Sequence, residues 1–130
     1  EYGGGTSPSP YAGSCMIATD RDSTYEYYAN GSAISPTIDM SICDGSTVYL
    51  EWYMWREIDS GYDYLYLDLY YNGSWHSGIR NYTGNSTTWT LYSVDVSDYM
   101  YDDFRIRFRF TADSLVNYRG AYIDNVTLTL

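Results

Sequence analysis

The chain has 130 residues, 45% of them hydrophobic, and a formal charge of −10. That length and apolar content suit one domain with a real core and exclude a disordered tail. The acidic balance repels phosphate backbones and anionic lipid, so nucleic acid and membrane surfaces are poor partners. No apolar run approaches the 18 residues of a membrane-crossing helix, so no membrane insertion is expected.

Residues 1–14, EYGGGTSPSPYAGS, are rich in Gly, Ser and Pro and read as an extended, flexible arm or linker. The rest of the chain, 15–130, reads as strands. Val48 to Trp55 alternates, with Val48, Leu50, Trp52 and Met54 on one face and Tyr49, Glu51, Tyr53 and Trp55 on the other. Tyr64 to Tyr71 alternates more cleanly, with Leu65, Leu67 and Leu69 pointing one way and Tyr64, Tyr66, Asp68 and Tyr70 the other. Asn72-Gly73 follows at once, which is a hairpin signal, and Trp75 opens the return strand.

Trp89 to Val96 forms another short strand. In Phe104 to Phe110, Phe104, Ile106, Phe108 and Phe110 face the core, and Arg105, Arg107 and Arg109 face out. In the last strand, Ala121 to Leu130, strict alternation sets Tyr122, Asp124, Val126, Leu128 and Leu130 on one face. No segment sustains a 3.6-residue period. Short strands with Gly, Asn, Asp and Ser turns between them predict an all-β antiparallel sandwich.

Cys15 and Cys43 are the only cysteines. Five N-x-[ST] sequons, at Asn30, Asn72, Asn81, Asn85 and Asn125, favour a glycosylated protein at the cell surface or outside the cell. In that compartment a Cys15–Cys43 disulfide would add about 3 kcal/mol through loop-closure entropy. The alternative is a pair of free, buried thiols.

The order of several segments resembles the jelly-roll β-sandwich modules of the MAM type. It is also similar to the related modules appended to secreted bacterial and archaeal proteases and surface proteins. The segments are Ala33–Asp39, the Val48–Trp55 strand, Tyr62–Leu65 leading to Asn72–Trp75, Trp89 with Val94–Ser97, Phe104–Phe108 and Gly120–Val126. The closing acid pair of those modules is Asp124-Asn125 here, a partial departure. The resemblance covers about residues 15–130 and implies a jelly roll used in adhesion, carbohydrate contact or assembly. It implies a structural Ca²⁺ held by Asp124 with acids near the first strands, for which Asp20 and Asp22 are the candidates. Otherwise Asp124 caps a turn or pairs with Arg119.

Nothing reads as a catalytic centre. Glu51, Glu57, Asp59, Asp63 and Asp68 offer carboxylates, but no feature selects a pair for glycoside hydrolysis. His76 is the sole histidine, against a zinc site or a Ser-His-Asp triad. The functional hint is in the tyrosine faces: Tyr49, Tyr53 and Trp55 on one strand, Tyr64, Tyr66 and Tyr70 on another. Outward-facing, they would stack sugars or bury against a neighbouring subunit; the alternative is cross-strand ladders that stabilise a solvated sheet. The expected function is therefore a non-catalytic structural or adhesive protein, a self-assembling filament or coat subunit that exchanges its arm with a neighbour. The other reading is a carbohydrate-binding or adhesion module of a larger secreted enzyme.

Overall fold

The structure, a computed structural model, describes residues 8–13, 15–19, 25, 28–114 and 118–130. It is all-β, with two antiparallel four-stranded sheets facing each other across one core. The strands are β1 (Ile17–Ala18), β2 (Asn30–Ile34), β3 (Tyr49–Glu57), β4 (Tyr64–Tyr71), β5 (Ser74–Tyr82), β6 (Asn85–Asp95), β7 (Arg105–Thr111) and β8 (Gly120–Thr129). The sheet orders are β1-β8-β3-β6 and β2-β7-β4-β5. Four pairings nest inside one another: β4 with β5, β3 with β6, β2 with β7 and β1 with β8.

Alternation in sequence becomes burial in space. Leu50, Trp52 and Met54 of β3 meet Leu65, Leu67 and Leu69 of β4 and Ile106, Phe108 and Phe110 of β7 in the core. Trp52 is central: its ring stacks on Tyr92 at 5.9 Å and meets Phe108 edge-on at 5.3 Å. Side chains of this size contribute about 1.5–3 kcal/mol each when fully buried.

The β4–β5 connection is the expected two-residue hairpin. Asn72 (φ 50°) and Gly73 (φ 83°) are both left-handed, as a type I′ turn requires. Their amides donate to the two carboxylate oxygens of Asp103, at 3.0 and 2.8 Å.

The strict alternation expected of the last strand fails at Asn125. Glu51 pairs with Thr127 and Tyr53 with Asp124, so Trp52 alone faces both Asn125 and Val126. Asn125, at φ 53°, is the extra residue of a β-bulge, and a bulge reverses the parity beyond it. Ala121 and Ile123 therefore point inward before the bulge, and Leu128 packs against the core after it. Tyr122 and Asp124 lie on the opposite face, and Leu130 is exposed.

The disulfide also requires correction: no disulfide joins the described residues. Cys15 is exposed just before the edge strand β1, whereas Cys43 ends a short 3₁₀ turn, Ser41–Cys43, and packs partly against the core.

Candidate binding face and acidic cluster

The outer face of the β2-β7-β4-β5 sheet carries an array of charged and aromatic side chains. The register sets Tyr66 opposite Arg109, Asp68 opposite Arg107 and Tyr70 opposite Arg105. Tyr70 in turn pairs with Trp75 of β5. Asp68 has no exposed surface, although it points away from the core. Its Oδ2 accepts from Arg107 Nε and Arg109 Nε, both at 2.7 Å. Its Oδ1 accepts from Arg109 Nη2 at 3.1 Å and from the Gly78 amide at 2.8 Å. That amide is available because β5 slips register against β4 between Leu67 and Leu69, so that Gly78 bulges toward the carboxylate. Burial pushes the Asp68 carboxyl upward, but Arg109, the Gly78 amide and Arg107 together hold it below the usual carboxylate range.

The guanidinium groups lie over rings. Arg105 sits 4.0 Å from the Tyr70 centroid and 5.6 Å from Trp75, Arg107 4.1 Å from Trp75, and Arg109 4.3 Å from Tyr66. Tyr64 and Tyr66 stack at 5.7 Å. Each such contact is worth about 0.5–1 kcal/mol at an exposed site, and with the ion pairs to Asp68 they favour one arrangement of the array. Tyr64, Tyr66 and Tyr70, singled out in the sequence, are thus half-buried members of one array. Sequence reasoning missed its arginines as partners, although their alternation was plain.

The face of the other sheet is different. Residues 8–13, within the segment expected to be a flexible arm, lie across it. Tyr11 stacks on Tyr53 at 3.6 Å, the Ser9 carbonyl accepts from Trp89 Nε1, and the Ala12 amide donates to Asp124 Oδ2. Tyr49 stays exposed. Trp55 is only 7% exposed, packed edge-on against Tyr122 with Arg119 over its ring, and so offers little to a partner. Arg119 makes a bidentate pair with buried Glu57, at 3.1 and 2.9 Å, rather than with Asp124. Asp124 also accepts from the Asn125 amide at 2.7 Å.

Asp20 and Asp22 lie outside the described residues. The acids that do converge are Asp59, Asp63 and Asp113, whose carboxylate oxygens lie within 4.8 Å of one another. Asp63 is fully buried; it accepts from Tyr25 Oη at 2.5 Å and from the Asp113 amide at 2.8 Å. Thr83 Oγ1 ties the loop by donating to the Asp63 carbonyl at 2.7 Å, with the Asp59 carbonyl 3.2 Å away. Burial, Asp63 and Asp113 raise the Asp59 carboxyl above its ordinary range. Burial and the Asp63 carboxylate likewise push the Tyr25 phenol up. Crowded oxygens of this kind could hold a metal ion. The spacing Asp59-x-x-x-Asp63 within a turn was the available signal, but Asp113 joins it only through the fold.

All five sequon asparagines, Asn30, Asn72, Asn81, Asn85 and Asn125, are exposed. No helix among the described residues is long and apolar enough to cross a membrane.

Fold and site together define an all-β, two-sheet domain with an arginine–aromatic sheet face and a separate acidic cluster. No family model matches the chain. Over 128 residues, 95% of its length, it is 27% identical to part of Bacillopeptidase F from Bacillus subtilis (strain 168). The chain spans 9% of that protein.

Proposed function

We propose that this chain is a non-catalytic, jelly-roll binding or adhesion module that works outside the cytoplasm as part of a larger protein. The observation that carries this reading is the outer face of the β2-β7-β4-β5 sheet, where rings and guanidinium groups are fixed in register by a buried carboxylate. A rigid polar-aromatic surface suits recognition, since little side-chain freedom is lost on binding. The nested strand pairings support the jelly roll: a long hairpin rolled onto itself gives this order. The likeness extends over 9% of a peptidase, and the module reading takes this chain as an accessory unit of a protein of that kind. The exposed sequons are consistent with a glycosylated surface protein. Calcium is the cation proposed for Asp59, Asp63 and Asp113, because it favours hard oxygen donors and accepts carbonyls to complete its shell.

A self-assembling filament subunit is the second reading. It is favoured by the edge of β8, where β1 covers only Tyr122 and Ile123. Against arm exchange, the described part of the arm is already engaged on its own sheet through Tyr11 and Tyr53.

A polysaccharide panel with the wild type and Trp75→Ala tests the module reading. The expected result is retention on at least one glycan, lost in Trp75→Ala without a matching fall in Tm. No retention on any glycan, with concentration-dependent sedimentation instead, would turn the conclusion to the filament.

A further inference from the structure

Three of the seven arginines stand in one row on β7, and the chain's −10 charge makes that row an exception. Alternate residues of a strand lie about 7 Å apart along it, and all three side chains leave the same face. Asp68 is the carboxylate that engages this row, and it is bound to Arg107 and Arg109. Arg105 has no carboxylate partner among the described residues, and its Nε is buried without a hydrogen-bond partner. The face therefore holds an excess of positive charge along a line, flanked by rings.

The rows opposite leave it accessible: Ser32, paired with Arg109 across β2, is small and exposed. Tyr64, Tyr66, Tyr70 and Trp75 are half-buried, and the exposed apolar side chain that the register sets beside the row is Ile34, opposite Arg107 at the end of β2, a single aliphatic residue rather than the aromatic anchors on which protein interfaces centre. What it offers is a straight series of planar, charged donors with ring edges between them. Planar guanidinium groups match carboxylates, and the rings they lie over hold them in place for such a contact.

We propose that the row Arg105, Arg107 and Arg109, with Tyr66, Tyr70 and Trp75, binds a linear polysaccharide bearing carboxylates, such as one built of uronic acids. This rests on the module reading and names its ligand class. The carboxylates bind the outward N–H groups, Arg105 first because no acid competes for it. The negative charge elsewhere on the chain is screened beyond about 10 Å at 0.1 M salt.

The test uses the full chain against polygalacturonate, its fully methyl-esterified form and poly-glutamate. Binding is expected to polygalacturonate, to weaken between 50 and 200 mM NaCl, and to fall about tenfold or more in Arg105→Gln, measured well below a Tm that the lost ring contacts lower by about a few degrees. Ser32→Asp, which sets a carboxylate opposite Arg109, is a second variant that does not touch the core, and it is expected to lose binding as well. Unchanged affinity in both variants overturns the proposal. So does equal binding of poly-glutamate, which would indicate an acidic protein partner. Binding to the methyl ester or another neutral glycan alone also overturns it but leaves the module reading intact, whereas no glycan binding at all removes both.

Discussion

Asp68 occupies an outward position on a strand of tyrosines, yet it is the most completely sequestered carboxylate on that face. Four donors satisfy it, so its charge is held in place rather than merely tolerated. Asp68→Asn leaves two guanidinium groups without their anion and is expected to cost about 2–3 kcal/mol, read from urea unfolding. Because its carboxyl is held below the ordinary range, its contribution is complete above the unfolded-state value and is lost as pH falls through the lowered one. Asp68→Asn should therefore flatten the acid limb of stability against pH; an unchanged limb would show that Asp68 does not set it. Gly120 is constrained differently. Its φ is +105°, and an added Cβ would lie 1.9 Å from Thr19 Oγ1, which itself accepts from the Ala121 amide. Gly120→Ala is expected to destabilise by about 2 kcal/mol or more. In a Thr19→Ala background the loss should be smaller but not absent, because the backbone strain remains. Full recovery there would mean that the clash alone matters.

At the scale of elements, the acidic cluster joins the β3–β4 loop to the segment that follows β7. Its sign is opposite to that of Asp68: the raised Asp59 carboxyl means that ionisation there costs stability, which returns as pH falls through its elevated value. A divalent cation would offset the same crowding without a proton. Millimolar Ca²⁺ at neutral pH is expected to raise Tm by several degrees, about what a ligand well above its Kd supplies. Asp113→Asn should remove most of that shift. A Tm indifferent to both Ca²⁺ and chelator would leave the cluster as a hydrogen-bonded loop closure through Tyr25, Thr83 and Asp63. Alternation made β3, β4 and β7 legible in the sequence because each keeps one parity over its core stretch. It misread β8, since nothing about Asn125 announces a left-handed bulge until Tyr53 and Glu51 impose the pairing.

The whole molecule was less legible than its strands. Pairing of β4 with β5 follows from a local turn signal, but β1 with β8 joins residues more than a hundred positions apart. The same distance hid the acidic cluster and the Arg109–Asp68 contact, whose members are 41 positions apart. The tyrosine faces were visible in the sequence; what distinguishes them is not. One is covered by residues 8–13, and the other is interleaved with arginine.

The nested pairings also dictate an order of assembly. The Asn72-Gly73 turn closes the shortest loop, so β4 and β5 can meet on the timescale of an isolated hairpin. Counted along the chain, each surrounding pair spans a longer separation, and β1 with β8 the longest; each inner pair, once formed, shortens the loop left for the next. A topology so dominated by contacts distant in sequence places the chain among slow folders, in the range of about milliseconds to seconds. During synthesis neither sheet can be completed before its distal strand emerges, and until then β3 and β4 present unpaired, strongly apolar edges.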